Sequence, residues 1–501
     1  MTHLFFIKER KNLMIDSRLE KLKNDWLIEA TIEDIQLKLD NQEVSSQDLV
    51  LMYLDRISEI DQSGTAINSL IEVNPEALHI AASLDYERKT KGSRGPLHGI
   101  PVVIKDNIDT GDNMHTSAGS LALAESYAKE DAFLVRKLRE AGAVILGKTN
   151  LTEWANFMGE KMPTGYSSRG GQVLNPYGAD FMVGGSSAGS AAAIAANLAV
   201  VSVGTETSGS ILSPASQNSL VGIKPTVGLI SRTGVIPISH TQDTAGPMAR
   251  TVTDAAVLLQ ALQGVDEKDA ITASNELLET NYTNHLLTDG VKGKRIGVAR
   301  SVYFDYLDEA KLEIMNRAVD KLAELGAEVI DSVEIPSTEA DWDINVLLYE
   351  FKSGINAYLK TVDPAVGIRN LSDIIRFNKE TGEPALKYGQ KVLEESEATK
   401  GLLDPVYLKS LEKDQYLSKK NGIDAVMKEH RLDAIVFPNN YGAMIPAKAG
   451  YPSITVPAGF SPEGEPVGIT FTGGAYSEPV LLEIAFGYEQ GTKHRKPPVF
   501  G

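Results

Sequence analysis

Between Met182 and Thr205 the chain carries no charged residue, and most of the run is Gly, Ser and Ala. Such a stretch must be buried, and its small side chains let backbone pack closely on backbone. Gly184-Gly185-Ser186-Ser187 reads as a turn and Ala188 to Ala199 as a buried helix. Val200 to Val203 then reads as a short strand, and Gly204 to Ser210 as a second turn dense in Gly, Ser and Thr. A helix–strand unit with a serine-bearing loop at either end can bring two hydroxyls together, which is the starting geometry of covalent catalysis. Two other readings compete. A Gly-rich turn ahead of a helix binds anions, but the Gly-Lys-Ser/Thr ending of a phosphate loop and the GxGxxG pattern are both absent. The length suits a membrane span, yet Gly, Ser, Ala and Asn stand where a span wants Leu, Ile and Phe.

Composition narrows the class. At 501 residues the length allows several domains, but 42% hydrophobic and 23% charged content are ordinary for one large globular core. A net charge of −18 argues against nucleic acid or an anionic membrane as partner, because phosphates are repelled. The chain has no cysteine, which excludes disulfides, thiol nucleophiles and Cys-ligated metals. The short apolar run Leu4 to Ile7 precedes, rather than follows, the charged Lys8-Glu9-Arg10-Lys11. That is the reverse of a secretory signal, so a cytoplasmic location is expected, with Met14 as a second candidate start.

Thr31 with Asp34 and Ser45 with Asp48 read as helix caps, and a further helix is expected from Asn74-Pro75-Glu76 to Lys91. Residues 1–70 therefore read as an N-terminal helical layer. Val102 to Ile104 is a buried strand ending at Lys105, Ala132 to Ala141 a helix stopped by Gly142, and Ala143 to Gly147 the next strand. Further helices are expected over Thr251–Leu262, Glu309–Leu325 and Pro479–Gln490. Further strands are expected over Arg295–Ala299, Ala327–Ile330, Ala434–Phe437 and Ser453–Val456. Alternation of this kind predicts an α/β fold. Residues 341–429 are mostly helical in pattern and rich in Lys and Glu, as an insertion or cap would be.

Eight histidines are present, none in HExxH or another ligand spacing, and no G-x-S-x-G elbow surrounds Ser186, Ser187 or Ser210. A Ser-His-Asp triad assembled in space stays open. Lysine is the other base able to activate a serine. Lys105 stands at the end of an apolar strand, where desolvation favours the neutral amine. To act near neutrality its pKa must come down from about 10.4. The competing reading of Lys105 is a structural pair with Asp106.

Taken together, the Lys105 strand, GGSSAGS at 184–190, TETSGS at 205–210, VGIKPTVGLISRTGVIP at 221–237, QDTAGPMARTVTDAA at 242–256, YPSITVPAGF at 451–460 and PVGITFTGG at 466–474 resemble the amidase signature family. The resemblance implies a mixed central β-sheet covered by helices on both sides and a single domain over 1–501. Its catalytic core would occupy 70–300 and 430–495, with 341–429 inserted. It also implies a Ser–cis-Ser–Lys triad: Ser210 as nucleophile, Ser186 as the bridging serine and Lys105 as base, the two serines standing twenty-four residues apart. Ser187 is the rival for Ser186. The backbone N–H groups of Thr207, Ser208, Gly209 and Ser210 would form the oxyanion hole. By resemblance alone, Phe157, Met158 and Gly159 are candidates for the pocket wall, with the stretch Tyr349 to Lys352 beside them. Asp243 reads equally as a support for the catalytic loop or as a turn cap.

One departure stands out. Where many members read Gly-Gly-Ser-Ile-Arg, this chain has Ser208-Gly209-Ser210-Ile211-Leu212. Trp154 to Phe157, Ser168 to Gln172, Gly204 to Thr207 and Gln242 to Pro247 look most like the peptide amidases, which deamidate C-terminal carboxamides. The implied function is amide hydrolysis without metal or cofactor, on a small-molecule or peptide amide. The alternatives are the glutaminase-type subunit of a tRNA-dependent amidotransferase and a non-catalytic binding protein on the same scaffold.

Overall fold

The computed structural model describes residues 15–278 and 280–500. The apolar run at Leu4, the charges after it and the candidate start at Met14 lie outside the described residues.

The strands, in chain order, are β1 (Leu70–Val73), β2 (Pro101–Lys105), β3 (Val144–Thr149), β4 (Tyr166–Ser167), β5 (Gly171–Gln172), β6 (Val201–Glu206), β7 (Val221–Lys224), β8 (Thr244–Ala249), β9 (Arg295–Val298), β10 (Glu328–Asp331), β11 (Ala434–Pro438), β12 (Ser453–Phe460) and β13 (Pro466–Thr472). β4 and β5 form a small hairpin, and the rest form one sheet in the order β1-β3-β2-β6-β8-β7-β12-β13-β11-β9-β10. The sheet is mixed: β2 runs parallel to β3 and β6, β9 runs parallel to β10 and β11, and the remaining pairs are antiparallel. Successive side chains of a strand face opposite sides. Since β2, β3, β6, β7, β8, β11 and β13 are buried at every position, both faces are covered.

The N-terminal helices Ile32–Asp40 and Ser46–Arg56 start in complete capping boxes at Thr31/Asp34 and Ser45/Asp48, so each cap pair satisfies two otherwise orphan N–H groups. The layer also supplies β1, an edge strand on β3. The charge-free run resolves into the helix Ala188–Ala195 and strand β6. The helix stops four residues before the expected end at Ala199, because Asn197 turns left-handed (φ 57°) and the N–H of Leu198 closes back on Ala193. The strand, in turn, runs on through Glu206 because β8 pairs with it there, Gly204 opposite Gly246. The second turn therefore begins at Thr207, three residues later than expected. Among the described residues no helix is long and apolar enough to cross a membrane.

Within 341–429 lie the helices Asn345–Tyr358, Leu371–Thr381, Glu383–Leu386, Lys391–Glu397 and Pro405–Gln415, a π-helical stretch Tyr416–Ile423 and the helix Asp424–His430. A hydrophobic cluster separate from the main core holds this segment to the body, joining Phe351, Ile355 and Leu371 to Trp154, Phe157, Ile236 and Ile238.

Candidate active site

Lys105 is the last residue of β2, and the parallel neighbour β6 is in register with it through Ile104 opposite Val203. That pairing sets the Lys105 amine beside Thr205. Nζ, on a side chain with no exposed surface, donates to Ser186 Oγ at 2.8 Å, to Thr205 Oγ1 at 2.9 Å and to the Thr205 carbonyl at 3.2 Å. Asn107 Nδ2 donates to the same threonine oxygen at 3.0 Å. Burial pulls the Lys105 pKa down to about 7, against the opposing charges of Glu206 and Asp243. Asp106 is not its partner. That carboxylate accepts from the Ser117 hydroxyl and the Gly119 N–H, with Arg169 3.6 Å away.

The Gly185–Ser186 peptide bond is cis. The turn around it has no room for side chains. Gly184 sits at φ +75°, and a Cβ there would lie 2.6 Å from Pro214 Cα, while one on Gly185 would lie 2.6 Å from Thr152 Oγ1. Of the two candidate bridging serines, Ser186 reaches the amine. Ser187 Oγ instead donates to the Thr205 carbonyl at 3.1 Å and accepts the Thr205 N–H at 3.2 Å. The N–H of Ser187 donates to the Ser210 carbonyl at 3.1 Å, lashing the two serine loops together. The N–H of Gly189 is likewise taken, by Asn150.

Ser210 is nearly buried, in the turn between β6 and the helix Leu212–Gln217. The turn is shaped by Glu206, which in the sequence is only one acid inside a Ser/Thr-rich loop. Its Oε1 accepts the Gly209 N–H at 2.6 Å, and its Oε2 accepts the N–H groups of Ile211 at 2.7 Å and Leu212 at 3.0 Å. Burial raises the Glu206 pKa, while these three donors and Lys224 oppose the rise. The arrangement corrects one expectation. The Gly209 N–H is occupied, so of the four groups expected to receive an oxyanion only those of Thr207, Ser208 and Ser210 donate to no acceptor among the described residues.

Asp243 fills both roles open to it. Its Oδ2 caps the turn through the N–H groups of Ile238 and Ser239, each at 2.8 Å, and its Oδ1 accepts the Thr207 hydroxyl at 2.5 Å. Burial lifts its pKa to about 6, against those donors.

Phe157 and Met158 are buried, in one apolar cluster with Ile236, Ile238 and Phe351. Phe157 packs on Phe351 with ring centroids 4.9 Å apart, and the Met158 carbonyl accepts the Val392 N–H at 3.0 Å. A Cβ on Gly159 would stand 2.7 Å from the Tyr388 carbonyl oxygen. Their side chains fill the seam between the body and the helical segment, because two large apolar groups ahead of a glycine suit close packing better than solvent.

Three of the histidines are engaged elsewhere: His98 with the Leu84 carbonyl, His115 with Glu72 and His285 with Glu483. Among the described residues no group of three or more His, Cys, Asp or Glu could hold a metal ion. Sequence reasoning has Thr205 only inside a motif and Glu350 only inside the candidate pocket stretch; it misses the bond of Thr205 to Lys105 and those of Glu350 to Ser239 and Thr241, more than a hundred residues away. Neither carries a local signal beyond a hydroxyl next to an acid and an acid inside an apolar helix face.

Known proteins resemble the chain over most of its length. The family described as Amidase matches residues 48–482. A probable amidase of Arabidopsis thaliana is 44% identical over 484 residues, covering 94% of this chain and 92% of that protein. A glutamyl-tRNA(Gln) amidotransferase chain from Halorhodospira halophila is 32% identical over 499 residues, covering 94% and 99%. The crystal structure of the peptide amidase from Stenotrophomonas maltophilia superposes with a TM-score of 0.90 at 45% identity, covering 94% of this chain and 99% of that one. The large mixed sheet flanked by helices is thus shared with a solved amide hydrolase, and the family match runs through nearly the whole body. The chain belongs to the amidase family.

Proposed function

We propose that the chain cleaves a carboxamide through an acyl-enzyme on Ser210, with Ser186 carrying protons to and from Lys105. The observation behind this is the fully buried Lys105 amine 2.8 Å from Ser186 Oγ. With the amine neutral, its two N–H bonds go to the carbonyl and hydroxyl oxygens of Thr205, and its lone pair is left for the Ser186 O–H. As Ser210 Oγ bonds to the amide carbon, its proton passes to Ser186 and the Ser186 proton passes to Lys105. The carbonyl oxygen takes the negative charge and is met by the N–H groups of Thr207, Ser208 and Ser210; each such donor is worth roughly 3 kcal/mol in the transition state. Breakage of the C–N bond draws the lysine proton back through Ser186 onto the departing amine or ammonia. Water then splits the ester by the same relay, releasing the carboxylic acid and restoring Ser210.

We further propose a peptide C-terminal amide as substrate, on the likeness to the Stenotrophomonas maltophilia peptide amidase. The glutaminase-type reading draws less support, since identity to the amidotransferase chain is lower. The test joins two measurements. A fluorophosphonate should label Ser210 in the unaltered protein, and Ser210→Ala should take up no label. In a panel of peptide amides, aryl amides and short aliphatic amides, kcat/KM should be highest for peptide amides by roughly tenfold or more, about 1.4 kcal/mol in transition-state binding. Equal or faster turnover of aryl amides would overturn the substrate assignment, and labelling of another residue would overturn the mechanism.

A further inference from the structure

The helical segment reaches the catalytic turn through one buried side chain. Glu350, on the helix Asn345–Tyr358, is 1% exposed. Its Oε2 accepts the Ser239 hydroxyl at 2.5 Å, the Thr241 hydroxyl at 3.0 Å and the Thr241 N–H at 3.1 Å. Its Oε1 accepts the Tyr407 hydroxyl at 2.8 Å and has His240 Nε2 3.4 Å away. The loop it grips, Ile238 to Asp243, is the loop that Asp243 closes on itself from inside. Asp243 in turn holds the Thr207 hydroxyl. Two buried carboxylates in series therefore join the helical segment to Thr207.

On its N-terminal side Thr207 follows the last rung of β6, Glu206 opposite Thr244. Its neighbour Ser208 is exposed, and the nearest tether on the far side is the Gly209 N–H on Glu206. An oxyanion donor works only when aimed at the position the charged oxygen will take, and a misplacement of about 1 Å can cost on the order of a hundredfold. From this geometry we infer that Glu350 is a positioning residue for the reaction: by anchoring Ser239 and Thr241 it fixes Asp243, and through Asp243 it aims the Thr207 N–H. The inference rests on the reading of Ser210 as nucleophile. Three hydroxyls and the Thr241 N–H donate to Glu350; the N–H alone cannot turn round to accept, and the carboxylate meets all four without any hydroxyl reversing. A glutamine would turn its own N–H bonds against one set of these donors. If Glu350 served only to pack the segment, its replacement would lower stability and leave turnover per folded molecule alone, because Phe351 and the apolar seam hold the same helix to the body.

The experiment compares Glu350→Gln with the unaltered full chain, counting active sites by the end-point of fluorophosphonate labelling. The expected result is a kcat per titrated site lower by about tenfold or more, with KM within about twofold, since transition-state and not ground-state binding is lost. Affinity for a peptide aldehyde, whose adduct places an oxyanion in the same hole, should fall in parallel with kcat. Tyr407→Phe, which removes one donor from Oε1 and keeps the loop contacts, should move kcat in the same direction by less, and it stands in should Glu350→Gln fail to fold. Asn345→Ala, which cuts the bond from the same helix to Ser410, should leave kcat per site unchanged. An unchanged kcat per site in Glu350→Gln, with Ser210 labelled, would overturn this inference alone. Absence of label on Ser210 in the unaltered protein would overturn it together with the mechanism it rests on.

Discussion

An amine held without exposed surface and brought down to a pKa of about 7 has two measurable signatures. The first is catalytic. Lys105 accepts a proton only when neutral, so kcat/KM should rise as pH climbs through about 7 and level off above it. A profile falling over that interval would exclude the amine as base. The second is thermodynamic. Between about 7 and 10.5 the unfolded chain binds a proton that the folded chain does not. This group's contribution to stability therefore increases with pH across that window, and below 7 its penalty is complete. The penalty corresponds to roughly 4 to 5 kcal/mol at ~1.36 kcal/mol per pKa unit. Lys105→Met should thus abolish turnover and raise Tm, with the gain largest below pH 7 and closing toward 10.5. Thermal melts across that range would reveal it. Lys105 was legible because an apolar strand delivers a cation inward. The choice between Ser186 and Ser187 was not legible from the residues alone, since adjacent hydroxyls differ only in which one the backbone turns toward Nζ.

At the level of single elements, the nucleophile turn is built less by its glycines than by the carboxylate of Glu206 at the end of β6, which gathers three N–H groups. Glu206→Gln keeps the shape but presents N–H bonds to some of these donors. Leaving a buried donor unpaired costs about 1–3 kcal/mol. Urea unfolding should show a loss of that order, and fluorophosphonate should react more slowly with Ser210. An unchanged labelling rate would mean the turn holds itself. The same region shows why some strands escape a reading of the sequence. β7 reads Val-Gly-Ile-Lys, β8 Thr-Ala-Gly-Pro-Met-Ala, and β13 opens on Pro466 and Val467 followed by Gly468. Each is buried on both faces, so none shows the alternation that marks a half-exposed strand, and Gly and Pro lower the local propensity. β1 goes unread because four residues on a sheet edge carry too short a pattern. Long amphipathic helices such as Glu309–Glu324 and Glu478–Thr492 are legible to within a residue or two, since a cap and a 3.6-residue period survive any tertiary context.

On the scale of the whole chain, the segment after the last helix is fastened to the first layer. Arg495 bonds Glu29 at 2.8 and 2.9 Å, the Tyr177 hydroxyl at 2.9 Å and the Ser219 carbonyl at 2.9 Å. Burial raises the Glu29 pKa, but Arg495, with Arg250 and Asn197, outweighs this and holds it below the usual carboxylate range. Arg495→Ala leaves the partly exposed carboxylate with Asn197 and strips donors from the Ser219 carbonyl and the Tyr177 hydroxyl, and should lower unfolding stability by about 1–3 kcal/mol. Turnover per folded molecule should not change; a parallel loss of kcat would show that the clasp reaches the catalytic turn. The adjacency of β2 and β6 carries a different consequence. Lys105 ends β2 and Ser210 stands in the turn that follows its neighbour β6, while residues 341–429 contain none of Lys105, Ser186 and Ser210 and meet the body through a separate apolar cluster. New specificities can therefore be tried by exchanging 341–429 between relatives without rebuilding the reagent. A graft of this kind needs a carboxylate where Glu350 stands, or it will arrive with its chemistry out of aim.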